Sequence, residues 1–207
     1  MNQQTKFTAD DVKIIDQQVA YQGYFRIVKL TVTHRLYSGE WCTPCIREVF
    51  ERGHAVGVLL YDPLLNKIVL IEQFRVGTLG QTNQPWLLEI VAGIIDPDEQ
   101  TADVARRETV EETGLTLLQL APICNYWVSP GGTTEKVTLY CAQVDASQAG
   151  GIHGLSDEAE DIRVLVLNPS EVFTLLEQGR ICNAATIIAV QWFQLHGEKL
   201  KEKWLTK

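Results

Sequence analysis

The stretch from Gly93 to Leu115, GIIDPDEQTADVARRETVEETGL, constrains the fold more than any other part of the chain, because it sets Glu99, Glu108, Glu111 and Glu112 around Arg107. Thr101 offers a cap for a helix start by accepting from the free amide of Asp103 or Val104. Gly114 supplies the left-handed residue that closes many helices, with Leu115 folding back over the last turn. A helix over about Ala102 to Thr113 is therefore predicted. On it Glu108 stands three residues from Glu111 and four from Glu112, so the three carboxylates emerge on one face. Like charges at that spacing cost the helix roughly a few tenths of a kcal/mol per pair, and a counter-charge is expected. A hard divalent cation such as magnesium suits the position, because it takes carboxylate and carbonyl oxygens and binds phosphates at the same time.

The rest of the helix is consistent with a buried, close-packed position. Ala102, Ala105, Thr109 and Thr113 fall on a face of small residues, where a surface helix would carry Leu or Ile. A buried Thr109 must satisfy its hydroxyl, and a carbonyl one turn back is the available acceptor. The plain alternative is a solvated acidic face, with Asp103 and Arg107, then Arg107 and Glu111, as i,i+4 pairs.

Composition narrows the function. With 207 residues and 45% hydrophobic content the chain can bury a substantial core as one domain with an appended small sheet. The formal charge is −8 and no basic cluster stands out, so nucleic acid is excluded as a partner. An anionic small molecule would be repelled as well, a second reason to expect bridging metal ions. No apolar run reaches the roughly 18 residues of a bilayer span, so no membrane partner is expected. Cys42, Cys45, Cys124, Cys141 and Cys182 are an odd, scattered set, and the polar start MNQQTKFTADD has no signal peptide; a reducing, cytoplasmic location is expected. Cys42 and Cys45 form a CxxC with no second pair at zinc spacing, which argues against a metal or redox role there.

Along the chain, Val28, Leu30, Val32, His34 and Leu36 alternate with Lys29, Thr31, Thr33 and Arg35, the pattern of a half-buried antiparallel strand, with His34 as a core or interface residue. Ile14 to Tyr21 and Cys45 to Phe50 are its expected partners. Three such strands bury little core alone, so residues 1–50 must dock on the main body or on another chain. His54 to Tyr61 and Lys67 to Phe74 flank the turn Asp62-Pro63-Leu64-Leu65-Asn66, and Trp86 to Val91 is an apolar run leading into Ala92-Gly93. Further strands are expected at Leu117 to Val128, Lys136 to Val144 and Ile162 to Leu167, and helices near Ser170 to Gln178 and Ala184 to Leu195. In the last, Ile187, Ile188, Gln191, Trp192 and Leu195 are expected to face the core. Mixed strands around a strand, loop and helix unit predict an α/β sandwich.

The spacing of Gly93, Glu99, Arg107, Glu108, Glu111, Glu112 and Gly114 resembles the Nudix box, with Thr109 as its one soft departure, and the chain resembles a Nudix hydrolase. The resemblance implies an α+β fold, an α/β/α sandwich with a mixed sheet over residues 51–207, plus the N-terminal antiparallel sheet. It also implies that Glu108 and Glu112 bind metal, that Glu111 shares a second ion, and that the Ala92 carbonyl is a backbone ligand. Glu99 and Arg107 would brace these groups.

Gln73-Phe74-Arg75, Trp86-Leu87-Leu88-Glu89, Trp127-Val128-Ser129-Pro130-Gly131-Gly132-Thr133-Thr134-Glu135 and Gly154 to Arg163 are similar to the ADP-ribose pyrophosphatase subfamily, with Pro130 sixteen residues after Gly114. This implies hydrolysis of ADP-ribose to AMP and ribose 5-phosphate with two or three magnesium ions, with manganese as a substitute. Arg75 would meet the diphosphate or terminal ribose, and Arg47, Ser129 and Glu135 the rest of the nucleotide sugar. The glycine-rich loop from Gly150 to Asp161 would swing a carboxylate over substrate: Glu160 resembles the glutamate that touches metal or water, and Glu158 the general base. Sequence does not separate those two roles, and a solvated acidic loop is the alternative. The subfamily also implies a homodimer with the N-terminal sheet swapped between subunits. Alternative functions are a diphosphatase for another nucleotide sugar such as GDP-mannose, or a non-catalytic ADP-ribose-binding Nudix module.

Overall fold

The structure is a computed structural model that describes residues 7–156 and 159–206. The chain divides into two units, one running through Gly53 and including Trp127–Glu135, the other comprising His54–Tyr126 and Lys136 onward. In the smaller unit β1 (Val12–Gln22), β2 (Arg26–His34) and β3 (Cys45–Glu51) form a three-stranded antiparallel sheet. The register slips between Ile14 and Asp16 and between Val19 and Tyr21, as bulges do, so no single apolar face persists. Val28 and Thr33 are buried on β2, whereas all of β1 is exposed, including Val12, Ile14, Ile15, Val19 and Tyr21. His34 is exposed and does not join a core; its Nδ1 lies 3.0 Å from the Arg35 carbonyl. Segment Trp127–Glu135 lies along β3, where the Phe50 N–H donates to Gly132 O at 2.8 Å and the Thr134 N–H to Phe50 O at 3.2 Å.

The larger unit holds β4 (Ala55–Asp62), β5 (Lys67–Phe74), β6 (Trp86–Glu89), β7 (Val91–Ile94), β8 (Gln119–Trp127), β9 (Lys136–Gln143), β10 (Ile152–His153) and β11 (Ile162–Leu167). Its helices are α1 (Thr101–Thr113), α2 (Pro169–Glu177) and α3 (Ala184–Leu205). The sheet runs β10-β11-β5-β4-β9-β8, with β4 and β9 parallel and β5 antiparallel to both β4 and β11. At the β4–β5 turn, Asp62 Oδ1 accepts from the Leu64 and Leu65 amides at 2.9 and 3.0 Å, and Asn66 adopts the left-handed conformation. Away from that turn the two strands part. β4 pairs with β7 through Ala55–Val58, and β5 pairs with β6 through Ile71–Phe74.

The apolar run from Trp86 to Val91 therefore falls in two strands, broken at Ile90. The break keeps its hydrogen bonding, because the buried Ile90 N–H donates to Thr186 Oγ1 at 3.0 Å. Side chains alternate across the sheet. Val56, Val58, Leu60, Val69 and Ile71 pack with Val104 and Ala105 of α1, and Leu59, Tyr61, Ile68 and Leu70 pack with Val172 of α2 and Ala189, Val190 and Phe193 of α3. This is an α/β/α sandwich.

α3 continues ten residues past the expected end at Leu195, and its buried line is Ala189, Val190, Phe193, Gly197, Leu200 and Trp204. The face expected from Ile187 through Leu195 is rotated from that line: Gln191 and Leu195 are exposed, and Ile187, Ile188 and Trp192 are half-buried at its edge. The cause lies in the extension, since Phe193, edge-on, and Trp204, tilted, both pack against Tyr61, with ring centroids 4.7 and 6.4 Å away. Among the described residues no helix is long and apolar enough to cross a membrane.

Replacing Thr186 by Val keeps volume but strands the Ile90 N–H in the core. The expected cost is about 1–3 kcal/mol, read as a lower urea midpoint with unchanged slope.

Candidate active site

α1 begins one residue earlier than predicted. Gln100 is the N-cap, and its carbonyl accepts from the Asp103 and Val104 amides at 2.9 and 3.1 Å. Thr101 does not cap, because Tyr140 on β9 takes its hydroxyl at 2.7 Å. Gly114 closes the helix at φ 69°, its N–H donating to Val110 O at 2.8 Å. The small face is buried and its polar atoms are paired: Thr109 Oγ1 donates to Ala105 O at 2.7 Å and Thr113 Oγ1 to Thr109 O at 2.6 Å.

That face brings α1 close to β7, and Gly93 shows how close. A Cβ there would lie 1.7 Å from Glu108 Oε1, so the glycine of the motif is required by the carboxylate that rests on it. One turn on, Glu112 is only 2% exposed, and its Oε2 accepts the Ala92 N–H at 3.2 Å. Arg107 gathers the other carboxylates. Its Nε and Nη2 each donate to Glu99 at 3.1 Å, and its Nη1 donates to Glu108 at 2.7 Å and Glu111 at 3.2 Å. Arg107 pairs with Glu111 as expected, but Asp103 takes no part; Glu99 holds the guanidinium instead and also accepts the Asp96 N–H at 3.0 Å.

Glu160 approaches from the loop before β11. Its N–H donates to Leu155 O at 3.1 Å, and the Gly154 N–H donates to Glu111 O at 3.3 Å, tying the loop to α1. Gly154, at φ 102°, has no room for a side chain beside Glu160. Glu158 lies outside the described residues.

The electrostatics reflect this crowding. Burial pushes the Glu112 carboxyl well above the usual range, Glu108 and Glu160 add to the rise, and the Ala92 N–H and Arg75 oppose it. Glu108 is raised mainly by burial against the pull of Arg107, with Glu111 and Glu160 adding. Glu99 is lowered by its Arg107 hydrogen bond. Among the described residues no three such side chains already stand together as a set that could hold an ion. The donor set fits a divalent cation all the same: acidic oxygens, partly dehydrated and mutually repelling, outnumbering the guanidiniums beside them.

Arg75 follows β5, and its Nε donates to Glu89 Oε2 at 2.7 Å. Arg47, Ser129 and Glu135 belong to the smaller unit. Arg47 is exposed on β3, with Nη1 donating to Ile46 O at 2.8 Å. Ser129 is exposed, and its carbonyl accepts the Gly132 and Thr133 amides at 3.0 and 2.9 Å. Glu135 is buried, 3.6 Å from Arg52. Sequence reasoning passed over Glu89 as a site residue. The available signal was a lone carboxylate in the otherwise apolar run Trp86 to Val91.

A mixed sheet between helices, with a buried glutamate where one helix lies on a short strand, defines an α/β/α sandwich that carries a cluster of carboxylates. The chain belongs to the NUDIX domain family, whose model matches residues 51–196. It is 45% identical over 198 residues to the ADP-ribose pyrophosphatase of Escherichia coli K12, covering 96% of this chain and 95% of that one. It is 35% identical to the ADP-ribose pyrophosphatase of Haemophilus influenzae, covering 99% and 95%, and 34% identical to the GDP-mannose pyrophosphatase of Cronobacter sakazakii, covering 90% and 97%. A solved ADP compounds hydrolase shares the fold, with a TM-score of 0.71 at 21% identity over 93% of this chain and 96% of that one.

The raised Glu112 carboxyl has a signed consequence for stability. Its folded value exceeds its unfolded one, so the metal-free fold is penalised increasingly as pH rises from about 4.5 through the raised value. In EDTA, Glu112→Gln should therefore be more stable than the parent at pH 8, with the gap closing toward pH 4.5, as read by urea unfolding at each pH.

Proposed function

We propose that the chain is a magnesium-dependent ADP-ribose pyrophosphatase, hydrolysing the diphosphate to AMP and ribose 5-phosphate by attack of water at phosphorus. The observation that carries this reading is the seating of two α1 carboxylates against β7, Glu108 on Gly93 and Glu112 on the Ala92 N–H, with Glu160 acting electrostatically on both. The names of the relatives at 45% and 35% identity support the substrate.

Glu108, Glu111, Glu112, Glu160 and the Ala92 carbonyl would hold two or three magnesium ions, or manganese in their place. Bound there, the cations would polarise the phosphate oxygens and lower the pKa of a bound water toward neutrality. Arg107 and Glu99 keep the carboxylates oriented. Glu158 or Glu160 takes the proton from the attacking water. Arg75 binds the diphosphate, and Arg47, Ser129 and Glu135 line the nucleoside and ribose parts.

The wholly exposed β1, with five large apolar side chains in water, supports a homodimer in which residues 1–50 exchange between subunits. Free cysteines throughout support a reducing, cytoplasmic setting. The partner is a nucleotide sugar; nucleic acid and membrane are not. GDP-mannose is the second reading, favoured by the relative at 34% identity. A binding-only module is disfavoured because every charged residue of the acidic motif is present.

With magnesium and a panel of nucleoside diphosphate sugars, kcat/KM should be highest for ADP-ribose; a higher value for GDP-mannose overturns the substrate. Glu112→Gln should lower turnover by about a hundredfold or more with the fold retained, because a ligand should count for at least as much as the groups that orient it. Unchanged turnover refutes the metal assignment.

A further inference from the structure

We propose that Glu89 is a positioning residue for substrate binding: it pins Arg75 by its Nε and so leaves the two terminal guanidinium nitrogens as a fork for the diphosphate. The inference rests on the assignment of Arg75 to the diphosphate. Glu89 ends β6 and is 9% exposed, the one charged residue in an apolar strand. Burial pushes its carboxyl up, and Arg75 is the strongest influence holding it down.

A carboxylate in that place needs a dedicated partner, and the partner it has is short and charge-assisted, at 2.7 Å. The bond is made through Nε alone. Among the described residues Nη1 and Nη2 of Arg75 have no hydrogen-bond partner, and the side chain is 43% exposed. A guanidinium fixed at Nε presents Nη1 and Nη2 end-on, the geometry that matches two oxygens of one phosphate.

Its place is set by the strand joint: Glu89 stands three residues before Ala92, whose N–H meets Glu112, so the arginine it holds is fixed beside the strand on which the α1 carboxylates rest. Gln73 lies two residues before Arg75, on the same face of β5, and is 6% exposed. Its amide lies close enough to Glu89 to favour the ionised form, yet its Nε2 completes no hydrogen bond among the described residues. Glu89 is thus approached from β5 by two donors, of which Arg75 makes the bond. If the pair were only structural, nothing would require the arginine to keep its two best phosphate donors free beside an anion site.

The experiment is a double-mutant cycle on the full chain with Glu89→Gln, Arg75→Ala and both together. Inorganic diphosphate binding with magnesium is measured by calorimetry, and KM and kcat for ADP-ribose are measured in parallel. Arg75→Ala should weaken diphosphate binding about tenfold or more, as loss of charge-assisted hydrogen bonds does, and Glu89→Gln by several-fold. The double variant should bind no more weakly than Arg75→Ala alone. Glu89→Gln should raise KM with kcat nearly unchanged.

If Glu89→Gln weakens binding equally in both backgrounds, or leaves it unchanged, the proposal is overturned. Should Glu89→Gln fail to fold, Arg75→Lys reads the same contact: an ammonium held by Glu89 leaves no fork, so this variant should bind diphosphate no better than Arg75→Ala. Near-parental binding by the lysine overturns the proposal. Coupling in diphosphate binding without turnover of ADP-ribose would sink the substrate assignment and leave Glu89 in its role.

Discussion

Everything at the α1–β7 junction follows from placing Glu112 out of water. A carboxylate at 2% exposure is costly unless something polar meets it, and the group that meets it here is a single backbone N–H, that of Ala92. For that N–H to reach, the helix must lie almost on the strand. Hence Ala105, Thr109 and Thr113 on the buried face, and hence Gly93, where any side chain would occupy the volume of the Glu108 carboxylate. The small residues and the glycine are consequences of one buried charge. The two hydroxyls on that face bond backward to carbonyls of their own helix, which keeps them satisfied out of water.

The strand that carries Ala92 exists because β4 and β5 diverge. Their shared turn is held by Asp62, which also accepts the Ala146 N–H at 2.8 Å and so fixes that end of the sheet. Beyond it each strand takes a different partner, and β6 and β7 enter the gap with Ile90 at the joint. The bond from Ile90 to Thr186 means that α3, on the opposite face from the acidic helix, supports the joint on which both Glu89 and Ala92 depend. The core on the α3 side and the carboxylates on the α1 side are thereby parts of one construction.

Much of this was legible in the sequence, for identifiable reasons. β5, β11 and α1 were readable because apolar runs bounded by turn residues, and a glycine after a charged periodic run, leave few alternatives. The break at Ile90 was not, since its cause is a hydroxyl 96 residues away in the chain. Thr101 was misread as a cap for a similar reason: Tyr140, on a distant strand, competes for it. The α3 face was misread because its phase is set by Phe193 and Trp204 together on Tyr61, and the second of these lay beyond the expected end of the helix. At the site, helical spacing gave the Arg107–Glu111 pair but also Asp103, which takes no part, and it gave no sign that Glu99, in the loop before the helix, would take two of the guanidinium nitrogens.

The two arginines nearest the glutamates show how one residue type serves opposite ends. Arg107 spends its donors on Glu99, Glu108, Glu111 and the Ile94 carbonyl, so nothing remains for a ligand; its work is to gather the carboxylates and keep them in place. Arg75 is held at Nε, and among the described residues its other two nitrogens have no hydrogen-bond partner. The distinction matters in a chain of formal charge −8, where an anionic substrate is repelled at a distance and has to be won by local groups. A guanidinium saturated by protein carboxylates contributes nothing to that attraction, and one held loosely would lose side-chain entropy on binding. An arginine fixed at Nε with its end free avoids both losses.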